Sequence, residues 1–155
     1  MQFCSCWHPL EIHCVDTWHG GIDHQAGGAY EADMEAVEQR FRRNAQEAAR
    51  SLPHGVDLRL HKMISADGLV NFRYQGYAGS FDLVYVDGSH LAADVLQDAV
   101  LSFRLLRSGG LLIFDDYLWI DDPGAPVNSY AISKVVIDAV INLYRSRLKL
   151  LPALN

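Results

Sequence analysis

FDLVYVDGSH at residues 81–90, LAADVLQDAVLSFRLL at 91–106, the Ser108-Gly109-Gly110 break and LLIFDDY at 111–117 decide the fold between them. FDLVYVD (81–87) and LLIFDD (111–116) are nearly continuous in Phe, Leu, Ile, Val and Tyr. Apolar runs of this length predict strands buried on both faces of a parallel sheet. In the segment between them, Val95, Ala99, Phe103 and Leu106 form an apolar seam with helical spacing, and the Gly-Gly pair supplies the stop. Strand, helix, turn, strand is a right-handed βαβ crossover.

Working outward, the same alternation continues. EIHCVD (11–16) predicts a short strand running into a glycine-bearing loop from Trp18 to Gly28. A helix is expected from about Glu31 to Arg50, with Met34, Val37, Phe41, Ala45 and Ala48 as its stripe and Pro53 and Gly55 beyond its end. VDLRLHKM (56–63) alternates apolar with polar, so one face of that strand is expected wet. A short helix over Ala66 to Arg73 and a final amphipathic helix over about Tyr130 to Lys149 complete the chain. The expectation is a single α/β domain over 1–155, with 1–10 irregular and a Rossmann-like, mainly parallel sheet.

Composition bounds the function. The chain has 155 residues, half of them apolar, and a formal charge of -6 from 13 Lys and Arg against 19 Asp and Glu. That balance argues against nucleic acid or an anionic membrane as the main partner. The basic clusters at Arg40, Arg42 and Arg43 and at Arg145, Arg147 and Lys149 fit solvated helix faces. No apolar run nears the ~20 residues of a membrane span, and 1–13 lacks a signal-peptide pattern. Three cysteines bunched at Cys4, Cys6 and Cys14 make a poor disulfide framework and suit a cytoplasmic setting. With His8 and His13 they supply enough zinc donors but not the spacing of a structural site.

In an open parallel sheet, ligands bind at the carboxyl ends of the strands. There the four strands present Asp16-Thr17-Trp18, then Ser65 and Asp67, then Asp87-Gly88-Ser89-His90, then Asp115-Asp116-Tyr117. A packed core has no use for carboxylates at these positions, since burying one unpaired is costly. Asp16 is placed to accept hydrogen bonds from ribose hydroxyls, or else to cap the turn. Trp18 either stacks on an adenine or anchors the loop. Asp87, Asp115 and Asp116 are candidate oxygen ligands for a hard cation such as Mg²⁺, or turn formers. His90 is the candidate base for proton abstraction near neutral pH, or a solvated residue at a helix start.

FDLVYVDGSH, the helix after it and RSGGLLIFDDY together resemble small class I S-adenosylmethionine-dependent methyltransferases of the Methyltransferase-24 type. This group is related to macrocin O-methyltransferases and cephalosporin-hydroxylase-like proteins. VDTWHGG and RFRRNAQ are similar to the second-strand loop and following helix of the same family. The resemblance implies that Asp16 holds the cofactor ribose, that Ser65 and its neighbours approach the adenine, and that Asp87, Asp115 and Asp116 hold a magnesium ion. It implies O-methylation of a small hydroxylated metabolite or sugar. Such enzymes open with a strand and a glycine loop, whereas residues 1–10 contain no glycine. An N-terminally truncated domain is therefore expected, with two buried strands lacking a shared neighbour and edges open to pairing, as in a homodimer. Two alternatives stand beside it: a catalytically inactive scaffold module, and a hydroxylase of the cephalosporin type.

Overall fold

The computed structural model describes residues 10–21, 24–28, 30–52, 55–115, 117–118 and 133–151. Among these residues four strands, parallel within each of two pairs, alternate with four helices, as the sequence predicts. The chain divides into two compact units, Met1–Ser65 and Ala66–Asn155, which are described in turn.

In the first unit, β1 (Leu10–Asp16) pairs in parallel with β2 (Val56–Lys62), Leu10 opposite Val56 and Asp16 opposite Lys62. Between them runs α1 (Met34–Ser51). It starts three residues later than expected because Asp33 is its N-cap, with Asp33 Oδ1 accepting the Ala36 amide at 3.1 Å. None of its residues is fully buried. Phe41 and Ala45 are half-covered, and Glu38 reaches across to Lys62 at 2.7 Å while also holding Arg42. These two cations, hydrogen-bonded to its carboxylate, pull the Glu38 pKa below the usual carboxylate range.

Strand periodicity puts Glu11, His13, Asp57, Arg59 and His61 on the other face of this sheet. His13 Nε2–H donates to Glu11 Oε1 at 2.7 Å, and its Nδ1 lies 3.0 Å from His61 Nε2. With His13 neutral, that nitrogen accepts the His61 proton. Burial, then the charges of His13 and Arg59, hold the His61 pKa below its ordinary value. Cys14, on the opposite face from His13, is a half-buried free thiol whose pKa burial pushes up. Adjacent residues on a strand face apart, so His13 and Cys14 do not converge; Cys4, Cys6 and His8 lie outside the described residues.

In the second unit, α2 (Ser65–Tyr74, its first residue at the boundary) precedes β3 (Phe81–Val86), α3 (Ala92–Leu105), β4 (Leu106–Phe114) and α4 (Ser133–Leu143). β3 pairs in parallel with β4. α3 lies against both strands and α4 packs on α3. The core is Leu69, Phe72, Val95, Ala99, Leu105, Ile137 and Val140, extended by ring contacts among Phe72, Tyr77 and Phe81 at 5.5–6.0 Å.

Three expectations need correction. The buried stripe of α3 is Val95, Asp98, Ala99, Ser102 and Leu105, so Phe103 and Leu106 are only half-buried. β4 begins before the Gly-Gly pair: Phe81 faces Leu106 and Leu83 faces Leu111, so residues 107–110 bulge out of the ladder. Gly109 takes φ 77° there. A Cβ on Gly110 would come within 3.1 Å of the carbonyl oxygens of Arg107 and Asp82. Glycine is thus needed twice, for two different reasons. Finally, the strands are not buried on both faces among the described residues. Leu83, Tyr85, Leu111 and Ile113 are 48%, 51%, 43% and 39% exposed, because the helices cover the opposite face, where Val84, Val86, Leu112 and Phe114 lie. Each sheet has two described strands.

Candidate functional site

At the carboxyl end of β1 the chain turns sharply. Asp16 Oδ1 accepts the Trp18 amide at 2.6 Å and Thr17 Oγ1 accepts the His19 amide at 3.2 Å. Trp18 is the one non-glycine at positive φ (58°) among the described residues, a conformation that costs a large side chain energy and needs support from its surroundings. That support is visible: its ring packs on Phe41 of α1 at 4.8 Å, and Gly20 follows at φ 70° with no room for a Cβ, which would sit 2.8 Å from His24 Cβ. Asp16 itself is exposed. Its backbone carbonyl accepts the Met63 amide at 3.1 Å, which anchors the turn to the end of β2. Oδ2 of Asp16 takes no hydrogen bond from the described residues, so a diol could donate to it. Ser65, half-buried, begins α2.

In the second unit, Asp87, Gly88, Ser89, His90 and Asp115 line one cleft together with Ser133. Its volume of about 20 Å³ is room for one water rather than a nucleoside. Strand geometry brings these residues together. Asp87 follows the last residue of β3 and Asp115 the last of β4, and the Asp115 amide donates to Val86 O at 3.0 Å. The loop to α3 is fixed by the Leu91 amide donating to Ser89 Oγ at 3.1 Å. Ser133, 3% exposed at the start of α4, donates its Oγ–H to the His90 carbonyl at 3.4 Å. His90 is half-buried. Of the predicted site residues, then, Asp87, His90 and Asp115 share a cleft. Asp16 and Trp18 share a turn in the other unit. Asp116 lies outside the described residues.

Three residues escaped the sequence reading. Asp98 is 5% exposed on the inward stripe of α3, with Oδ2 placed 3.6 Å from where a Gly88 Cβ would be. Its signal was its phase: three residues after Val95, it falls on the buried side. Lys134 and Asp138 of α4 hold Tyr117, the aromatic residue after the two acids. Tyr117 Oη–H donates to Asp138 Oδ1 at 2.8 Å, Lys134 donates to Oδ2, and the Lys134 ammonium lies 4.9 Å from the Tyr117 ring centre. These contacts raise the Lys134 pKa, first through Asp138, and lower that of Asp138. Their i, i+4 spacing on a helix was legible, but their contact with Tyr117 was not.

No group of three or more His, Cys, Asp or Glu among the described residues could hold a metal ion. Asp116, one of the three expected magnesium ligands, lies outside those residues. No helix among the described residues is long and apolar enough to cross a membrane.

Comparison with known proteins gives a family. The model of Methyltransf_24, a methyltransferase domain, matches residues 3–117. An uncharacterized protein of Acanthamoeba polyphaga mimivirus is 28% identical over 91 residues, which cover 59% of this chain and 40% of that protein. The matched part is thus under half the length of this curated relative. No solved structure matches the chain.

Proposed function

Because the chain belongs to the Methyltransf_24 family of methyltransferase domains, we propose that it serves an S-adenosylmethionine-dependent methyl transfer to a hydroxyl of a small metabolite or sugar. The observation that carries this reading is the cleft at the carboxyl ends of β3 and β4, where Asp87, His90 and Asp115 meet. The cofactor, when bound, supplies an electrophilic methyl group on sulfur. Asp16 would hold its ribose through Oδ2, with Trp18 and Ser65 as the other candidate cofactor contacts of the first unit and Asp87 that of the second. His90 would take the proton of the acceptor hydroxyl as oxygen bonds to the methyl carbon and the carbon–sulfur pair leaves with sulfur. Asp115 would orient the acceptor, and alignment in line with the methyl group supplies much of the rate.

Calorimetric titration with S-adenosylhomocysteine tests this. Micromolar binding is expected, lost in Asp16→Ala with the melting temperature unchanged. Unaltered affinity in that variant removes Asp16 from the site. A folded wild-type chain that does not bind removes the cofactor.

A second reading, a non-catalytic module that assembles through its sheet as a homodimer, is favoured by the exposed row Leu83, Tyr85, Leu111 and Ile113. Sedimentation at several concentrations, with and without S-adenosylhomocysteine, separates the two.

A further inference from the structure

A second and larger cavity, about 560 Å³, lies at the other end of the β3–β4 pair. Arg73, Arg104 and Arg147 line it, together with Gly79, Phe103 and Tyr144. The three arginines come from separate segments: the last turn of α2, the last turn of α3 and the turns that follow α4. We propose that this cavity is a binding site for a small phosphate-type anion.

The plainer account is that basic residues at helix carboxyl ends offset the helix dipole. It covers Arg73 and Arg104 one at a time. It does not explain why they converge with a third guanidinium on one cavity. Arg147 is held there by its ring contact, its guanidinium carbon 4.8 Å from the Phe103 ring centre. Phe103 is in turn fixed by Tyr144 at 4.2 Å. The main chain at the rim is also set, since the Gly79 amide donates to the Arg104 carbonyl at 3.2 Å.

Charge gives the second argument. Among the described residues no Asp or Glu lines the cavity. Arg42, Arg59 and Arg107 each sit on a carboxylate, yet Arg73, Arg104 and Arg147 form no ion pair among the described residues, in a chain with more acids than bases. Three exposed arginines lining one cavity with no described carboxylate leave it positive, and a multivalent anion would be attracted there. Guanidinium forks match phosphate oxygens two at a time. The volume is that of a small-molecule pocket, where a long polyanion would call for an extended stripe. The six residues of β3, at ~3.3 Å each, put this cavity roughly 20 Å from Asp87, so it is not part of the methyl-transfer cleft.

The test is calorimetric titration of the full chain with pyrophosphate at constant ionic strength. Binding tighter than about 1 mM is expected, weakened ~10-fold or more in Arg104→Gln and less in Arg104→Lys. Arg43→Gln on α1 should bind like the wild type. Arg147→Gln, in an exposed turn, gives the same reading should Arg104→Gln not fold. The proposal is overturned if folded wild-type chain gives no binding, or if Arg104→Gln and Arg147→Gln both bind as the wild type does. It is equally overturned if polyglutamate or RNA binds and pyrophosphate does not.

Discussion

Truncating Leu105 to alanine puts the layering of the second unit to the test. Leu105 closes α3 and is 1% exposed, among the largest fully buried side chains. Removing it deletes apolar contact and leaves a hole that neighbours fill only in part, at a cost of about 3 kcal/mol. Leu83 is the matched control: the same residue type in the same unit, but 48% exposed on the open face of β3. Its truncation leaves no enclosed hole, and at half the usual transfer energy it costs about 1 kcal/mol. For a unit of this size each kcal/mol shifts the melting temperature by ~4–8 °C. Leu105→Ala should therefore melt roughly 12–24 °C lower and Leu83→Ala roughly 4–8 °C lower, followed by circular dichroism. Equal shifts would refute the reasoning, because Leu83 would then be as covered in solution as Leu105 is.

Two further outcomes follow from other parts of the chain. His90→Gln should abolish methyl transfer while S-adenosylhomocysteine binds with unchanged affinity; retained turnover would remove His90 as the base. The lowered His61 pKa means that the folded chain resists a proton the unfolded chain accepts, so the contribution is present above the unfolded value of ~6.5 and lost as pH falls through the lower folded value. The groups facing His61 are His13 and Arg59, with Glu11 and Asp57 beyond them on the same sheet face. The melting temperature should fall between pH 7 and pH 5 and fall less in His61→Gln; parallel slopes would exclude His61 as the cause. Glu38, Asp57 and Asp138, all with lowered pKa values, add their own losses only in the carboxylate range below.

The order and direction of the strands were legible because local chemistry writes them. LVYV and LLIF are short unbroken runs of large apolar residues and so read as strands, although one face of each is open, and Pro53-His54-Gly55 and Gly109-Gly110 punctuate the helices. The acidic strand ends were legible for the same reason, since each carboxylate interrupts an apolar run. Register was not. His13 and His61 are 48 residues apart, and only the alignment of Leu10 with Val56 brings their rings together. The phase of α3 was missed because Asp98 and Ser102 turn inward where an apolar pattern predicts Phe103. The Ser108-Gly109-Gly110 stretch signals a stop correctly, but a bulge within a ladder has the same composition as a turn before it.

The hydrogen bond from the Asp115 amide to the Val86 carbonyl is the final rung of the β3–β4 ladder. Because Asp115 itself donates that rung and Asp87 directly follows its acceptor, fraying there displaces both carboxylates at once. The solvent-exchange rate of one backbone proton, that of Asp115, is therefore a direct gauge of how long the acidic pair holds its spacing. Whatever comes to rest on Leu83 and Tyr85 further down the strand would slow it.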